Sequence, residues 1–245
     1  MKNSELTYKE IYGQPVSFQA VNDTLDTIFK TLDEVFAEKY DEVIFTGCGT
    51  SLYLAQASAH AFSTCTGISA KGMCCSELYY FPETYVGNGK KVLVVPMTRK
   101  SYTTEVRMAI DKVRSYPGVK SLAITCDPDS SKYNDYMLLS PETPEDSVIM
   151  TRSFTSMIYL AVVMSYYVGG KKEKIEQLKD YAANAESFLK ATDEMAKKIV
   201  AEHPECNLFI TLGQGINYGI ANECMNKMKE MSLSNSEAYY TLEYR

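Results

Sequence analysis

The sequence has no tryptophan and only two histidines, His60 and His203. Neither histidine has cysteines or carboxylates at zinc-ligand spacing, so no metal is expected. Basic residues are in deficit: 25 Lys and Arg stand against 31 Asp and Glu, a net charge of −6. General nucleic-acid binding needs a cationic surplus to neutralise phosphates, so that partner class is excluded, whereas one local pocket for a single phosphate is not. No CxxC pair occurs among the cysteines at 48, 65, 74, 75, 126, 206 and 224. Their odd number and apolar surroundings argue against an extracellular disulfide framework and for a reducing, cytoplasmic setting. The amino-terminal stretch lacks the apolar core of a signal peptide. The longest apolar run, 157–168, contains Ser165 and tyrosines and stops at Gly169-Gly170. It is too short to span a bilayer and reads as a buried helix, so no membrane partner is expected.

What is present is ordinary globular composition, 45% hydrophobic and 23% charged over 245 residues, enough to bury a core without disulfides or metal. Phe18, Val21, Leu25, Ile28, Phe29, Leu32 and Phe36 recur mostly every three or four positions, which predicts a helix over 17–39. A β-branched run at 42–45 enters a glycine-containing turn, and helical spacing follows over 52–62. The same order returns with a strand at 91–96, a polar loop at 98–104 and a helix at 105–115. Strands are expected at 121–125 and 136–139, and an apolar helix at 151–168. Strands alternating with helices imply a parallel sheet covered on both faces, an α/β fold of three αβα layers. The stretch 171–201 is a long amphipathic helix. A strand at 207–211, a loop through Gly213-Gln214-Gly215 and a helix at 219–231 then repeat the pattern of 42–62. We read an internal duplication whose second half has only begun. The expected organisation is a helical segment at 1–40, a first domain at 41–170, a connecting helix at 171–205 and the start of a second domain at 206–245.

Loops at the carboxyl ends of parallel strands converge on one crevice. The first offers Cys48, Gly49, Thr50 and Ser51, with glycine and hydroxyls at a helix start, where free N–H groups favour an anion. Simple capping by Thr50 or Ser51 explains the same residues. The second offers Thr98, Arg99, Lys100, Ser101, Tyr102, Thr103 and Thr104, two cations among hydroxyls, which suits a phosphate monoester or a solvated, well-capped loop. In the third, Thr151 and Ser153 stand where they can cap the helix behind them. Glu230, beside Lys229 at the end of a helical pattern, is a general base if burial tunes it and a surface residue otherwise. Neither GxGxxG nor GxxxxGK[ST] occurs, which sets aside a common nucleotide site.

These loops resemble those of the sugar isomerase (SIS) family, especially the isomerase half of glucosamine-6-phosphate synthase and related ketose/aldose isomerases and deglycases. Cys48-Gly-Thr-Ser51 matches the family's first loop. Thr98-Arg-Lys-Ser-Tyr-Thr-Thr-Glu105 resembles its second, with Lys100 in place of a serine and Ser101 in place of a glycine. Thr151, Phe154 and Thr155 fall in register with the third, and Lys9 to Pro15 and Lys227 to Tyr239 also resemble these enzymes. The resemblance runs over nearly all of 7–245 and implies a flavodoxin-like SIS domain followed by the beginning of a similar lobe. By position it implies that Ser51, Thr98, Lys100 and Thr103 hold a sugar phosphate, that Cys48, Gly49, Thr50, Arg99 and Thr151 line its site, and that Glu230 moves a proton between C1 and C2. The implied activity is aldose–ketose isomerisation, or deamination or deglycation, of a hexose or amino-sugar 6-phosphate, without a cofactor and as a homodimer. The alternative is a catalytically silent sugar-phosphate-binding module with a regulatory role, favoured by Lys100. In the family, His-Gly-Pro follows the segment equivalent to 242–245 and its histidine assists ring opening. The sequence stops at Arg245, so the expectation is a chain cut short in its second lobe, without that histidine or the carboxyl-terminal lysine loop.

Overall fold

The structure, a computed structural model, describes residues 3–87, 89–143 and 145–245. The amino-terminal apolar stripe folds as α2 (Gln14–Asp23) and α3 (Leu25–Val35), preceded by α1 (Asn3–Tyr12), rather than as the single helix expected over 17–39. The break falls at Thr24, whose hydroxyl donates to the carbonyl of Val21 at 3.0 Å and whose backbone leaves helical geometry (φ −108°, ψ 8°). A threonine bonding back to its own turn competes with helix continuation. Pro15 starts α2 early, in the first turn, where its missing N–H costs nothing.

Five parallel strands form the main sheet: β1 (Glu42–Gly47), β2 (Ala70–Cys74), β3 (Val92–Thr98), β4 (Val119–Thr125) and β5 (Tyr136–Leu139), in the order β2-β1-β3-β4-β5. This is the flavodoxin-like order, and the direction in which successive strands are added reverses between β1 and β3. Strand alternation sorts the core. Val43, Phe45, Leu93 and Val95 face one side with α2, α3, α4 (Thr50–Thr66) and α8 (Arg152–Val168). Ile44, Val92 and Val94 face the other with α5 (Cys75–Tyr80), α6 (Pro82–Val86) and α7 (Thr104–Val113). Three layers result, as two-faced hydrophobic strands require.

Two differences from the sequence reading have clear causes. Strand β2, Ala-Lys-Gly-Met-Cys, carries no β-branched run and was not expected. It forms by pairing in parallel with β1 from Ala70 to Cys74, and α4 crosses it so closely that a Cβ on Gly72 would lie 2.4 Å from the Cα of Gln56. Strand β3 continues past Pro96 to Thr98: the ladder to β1 runs through Thr46 and Pro96, and pairing with β4 resumes at Met97. A proline interrupts only the bond its N–H would have donated.

The helix α9 (Lys172–Glu202), about 46 Å long at 1.5 Å per residue, leads to β6 (Leu208–Gly213), α10 (Ile216–Ser232) and β7 (Asn235–Tyr240). Strands β6 and β7 pair in parallel as a two-stranded sheet. Strand β7, Asn-Ser-Glu-Ala-Tyr-Tyr, was not foreseen because its composition is polar. The two glycine turns share their backbone angles: Gly49 has φ 56°, ψ −128°, and Gly215 has φ 59°, ψ −129°. Each starts a helix from a left-handed φ that side chains resist. Helix α10 packs on α4 through Gly219, where a Cβ would lie 2.6 Å from the carbonyl of Tyr53. Among the described residues no helix is long and apolar enough to cross a membrane.

Candidate functional site

Because β1 and β3 are paired neighbours in register, their following loops leave the sheet at the same level. Between them lies a cavity of about 220 Å³. Cys48 and Ser51 wall it from the first loop, and Thr98, Arg99, Lys100 and Thr103 from the second, with Tyr102, Val106 and Met150 closing its sides. Helix α4 begins at this cavity, so its first N–H groups and its dipole favour a negative charge there.

The second loop is wound around one carbonyl. The oxygen of Lys100 accepts the hydroxyls of Thr98 at 2.7 Å and Thr103 at 3.1 Å. A hydroxyl has one proton and rotates freely, so both groups can turn to an anion that replaces this carbonyl as acceptor. Ser101 donates its N–H and hydroxyl to Asp127 Oδ2 at 2.9 and 2.7 Å, which ties the loop to the end of β4. Burial works to raise the Asp127 carboxyl, but the bonds from Ser101 outweigh it and hold it below its ordinary range. The Lys100 ammonium lies 5.6 Å from the Tyr102 ring centroid, a cation–π contact at the cavity mouth.

Arg99 touches the cavity with one side but spends its donors on the third loop. It reaches Glu145 Oε2 at 3.1 Å and the carbonyls of Ser147 and Val148 at 3.1 and 3.2 Å. Glu145 is buried at the start of α8. It accepts the N–H and hydroxyl of Thr151 at 2.8 and 2.9 Å, the N–H of Ser153 at 3.0 Å and the Ser153 hydroxyl. Its carboxylate therefore caps the helix, and Thr151 and Ser153, expected as caps, are donors to it. Burial opposes ionisation of Glu145, but the bonds from Ser153, Thr151 and Arg99 hold its carboxyl low. Glu10 in α1 accepts the N–H groups of Asp146 and Ser147 at 2.7 and 3.1 Å, so the third loop is fixed from two sides. Neither acid stood out in the sequence, where Glu145 sits among other acids and prolines with no periodic signal.

The remaining expected residues lie apart from the cavity. Gly49 supplies the turn and does not line it. Thr151 is drawn off to Glu145, and Met150 takes its place in the wall. Thr50 points to α10, because the two helices pack face to face. It donates to Glu223 Oε1 at 3.2 Å and accepts from Asn226 and Lys227, both at 3.1 Å. Glu230 is exposed and pairs with Lys227 at 2.5 Å, and Lys227 also reaches Glu223 at 3.2 Å. Glu223, Lys227 and Glu230 thus form one ladder on a face of α10 that meets the first loop. Burial pushes the Glu223 carboxyl up to about 7 against the pull of Lys227, and its Oε2 has no hydrogen-bond partner among the described residues. Glu223 and Lys227 were missed by sequence reasoning. Their spacing of four was visible, but it is the spacing of any solvated helix pair.

The structure also gathers His203, Glu205 and Cys206 on an exposed turn, with ligand atoms within 4.8 Å of one another. Spacing had not suggested this cluster. All three side chains are solvated and need no ion to satisfy them.

A family model described as SIS domain matches residues 37–168. Among curated proteins, the glutamine–fructose-6-phosphate aminotransferase (isomerizing) of Helicobacter pylori is 26% identical over 250 residues, covering 97% of this chain and 41% of that protein. The chain thus spans about two fifths of the length of the curated relatives it matches. The C-terminal domain of glucosamine-fructose-6-phosphate aminotransferase from Francisella tularensis superposes with a TM-score of 0.83 at 24% identity, over 97% of this chain and 70% of that one. A glucosamine-6-phosphate deaminase from Thermotoga maritima gives 0.75 at 26% identity, over 94% and 71%.

Proposed function

Because the chain belongs to the SIS domain family, we propose that it takes a hexose or amino-sugar 6-phosphate with the phosphate seated in the cavity between the β1 and β3 loops. One observation carries this reading: Ser51, Thr98, Lys100 and Thr103, from two separate strand ends, line a single small cavity at the switch point of the sheet. Hydroxyls there supply directed hydrogen bonds, Lys100 a mobile positive charge, and the start of α4 its N–H groups.

In this reading Glu230 is the base that takes the proton from C2 of the opened sugar and returns it to C1, giving the ketose from the aldose through an enediol. Lys227, between Glu230 and Thr50, offers positive charge where the intermediate gathers negative charge. Deamination or deglycation of an amino sugar would use the same proton transfer. The β6–α10–β7 unit is read as the start of a second lobe after the connecting helix. A cytoplasmic setting agrees with seven free cysteines, and self-association with the exposed apolar side chains of α9.

A binding module without turnover is the second reading. Its support is that Glu230 is exposed, engaged by Lys227 and outside the cavity wall. The test has two stages. Fructose 6-phosphate should raise the melting temperature, since a ligand bound only to the folded state stabilises it. Lys100→Ala should weaken that binding by about 10- to 100-fold, the loss of a charged hydrogen bond. Deuterium from solvent should then enter C1 or C2 of the sugar, and Glu230→Gln should abolish the exchange. Binding without exchange supports the module. No binding by any hexose 6-phosphate rejects both readings.

A further inference from the structure

Cys48 and Cys75 are two residues distant in sequence that the sheet places side by side. Strands β1 and β2 run in parallel with Gly47 paired to Cys74, so the next residue of each, Cys48 and Cys75, leaves its strand beside the other. Neighbouring strands lie about 4.8 Å apart, inside the Cα separation of about 4.4–6.8 Å that a disulfide needs. Cys48 packs against the apolar cluster in which Cys75 is buried. Their surroundings differ. Cys48 is half-buried in the cavity wall, near the start of α4 and sharing the cavity with Lys100. Cys75 is fully buried, and the Thr46 hydroxyl donates to its sulfur at 3.5 Å. The neighbouring Cys75 thiol holds the Cys48 thiol below its usual range, while Cys48 and burial push the Cys75 thiol up. A thiol open to the cavity beside a buried thiol is the arrangement of an attacking and a resolving cysteine.

We propose that Cys48 is a peroxide-reactive thiol which, with Cys75 as its resolving partner, forms a reversible disulfide that shuts the phosphate cavity. The Cys48 thiolate attacks one oxygen of hydrogen peroxide, the O–O bond breaks, and Cys48 becomes a sulfenic acid with release of hydroxide. The Cys75 sulfur then attacks the Cys48 sulfur and the S–O bond breaks. The departing hydroxide takes the Cys75 proton and leaves as water. Two electrons pass from the two sulfurs to peroxide, and a thiol reductant returns them. The disulfide ties the first loop to the end of β2, so the loop can no longer adjust around an anion. Conversely, a phosphate dianion in the cavity disfavours the Cys48 thiolate by like-charge repulsion, so ligand protects the thiol.

The chemistry stands on the thiol geometry alone, whereas its effect on sugar binding rests on the proposed function. In a Cys74→Ser background, which removes the adjacent sulfur, peroxide should remove two hydrogen atoms from the intact mass. Peptide mapping should then join Cys48 to Cys75, and dithiothreitol should reverse the change. Saturating inorganic phosphate should slow the reaction by about 10-fold, the effect of one pKa unit on the thiolate fraction. Cys75→Ser should stop at a sulfenic acid trapped by dimedone on Cys48, and should keep fructose 6-phosphate binding in the reduced state. Absence of the cross-link in the wild-type chain, or a link between other cysteines, overturns the proposal. A cross-linked protein that binds fructose 6-phosphate as tightly as the reduced one overturns the closing step. If reduced protein binds no sugar phosphate while the cross-link forms, the proposed function fails and the thiol chemistry stands.

Discussion

Glu223 holds a carboxyl that burial pushes up to about 7, with one oxygen on Thr50 and Lys227 and the other without a hydrogen-bond partner among the described residues. An unfolded glutamate titrates near about 4.3. Between these values the folded chain binds a proton that the unfolded chain has lost, so the contribution of this group to stability is full below about pH 4.3 and fades as pH rises through about 7. The unfolding free energy of Glu223→Gln should therefore gain on that of the native chain between about pH 5 and about pH 8, by up to about 2 kcal/mol in denaturant titrations. A constant offset across that range would show that the carboxyl ionises in the fold without cost. This residue was illegible in the sequence. Nothing about Glu at a helical position says that another helix, from far along the chain, will bury it. The polar loops that carry Ser51, Thr98, Lys100 and Thr103 were legible as strand-to-helix junctions, whereas the choice of those four came from the family resemblance; the fold sets them around one cavity.

At the scale of elements, the start of α8 is held by the Glu145 carboxylate, while Glu10 holds the third loop from its other side. Glu145 answers the first free N–H groups of α8 and pairs with Arg99 inside the protein. Removing one member of a buried pair leaves the other uncompensated, at a cost of about 3 kcal/mol or more. Glu145→Ala should lower the denaturant midpoint accordingly, while Glu145→Gln, which keeps an acceptor for α8, should lose less. Equal losses would mean that the charge, not the cap, is what α8 requires. Existence and type of the long elements were readable from periodicity. Their ends were not: Thr24 split a helix by bonding back to its own turn, and β2 and β7 pair through their backbones with little apolar signal in their side chains.

Across the whole molecule, the five-stranded sheet is covered on both faces, whereas β6 and β7 form a sheet of two strands with Leu208 and Leu212 exposed. Two strands bury too little apolar surface to be stable alone, so the β6–α10–β7 unit depends on the packing of α10 against α4. Native-state hydrogen exchange should find β6 and β7 opening at least about 10-fold more often than β1 and β3. Equal protection would mean that the two sheets unfold as one unit. The sequence by itself determined the α/β class, the parallel sheet, the repeated glycine turn and the loops that bear hydroxyls and lysine, because each is written in neighbouring residues. Only the tertiary structure decided that Thr50 faces α10, that Glu145 caps α8 and that Cys48 meets Cys75. Those contacts join positions far apart in the chain, and burial and pairing between them arise only once sheet and helices have packed.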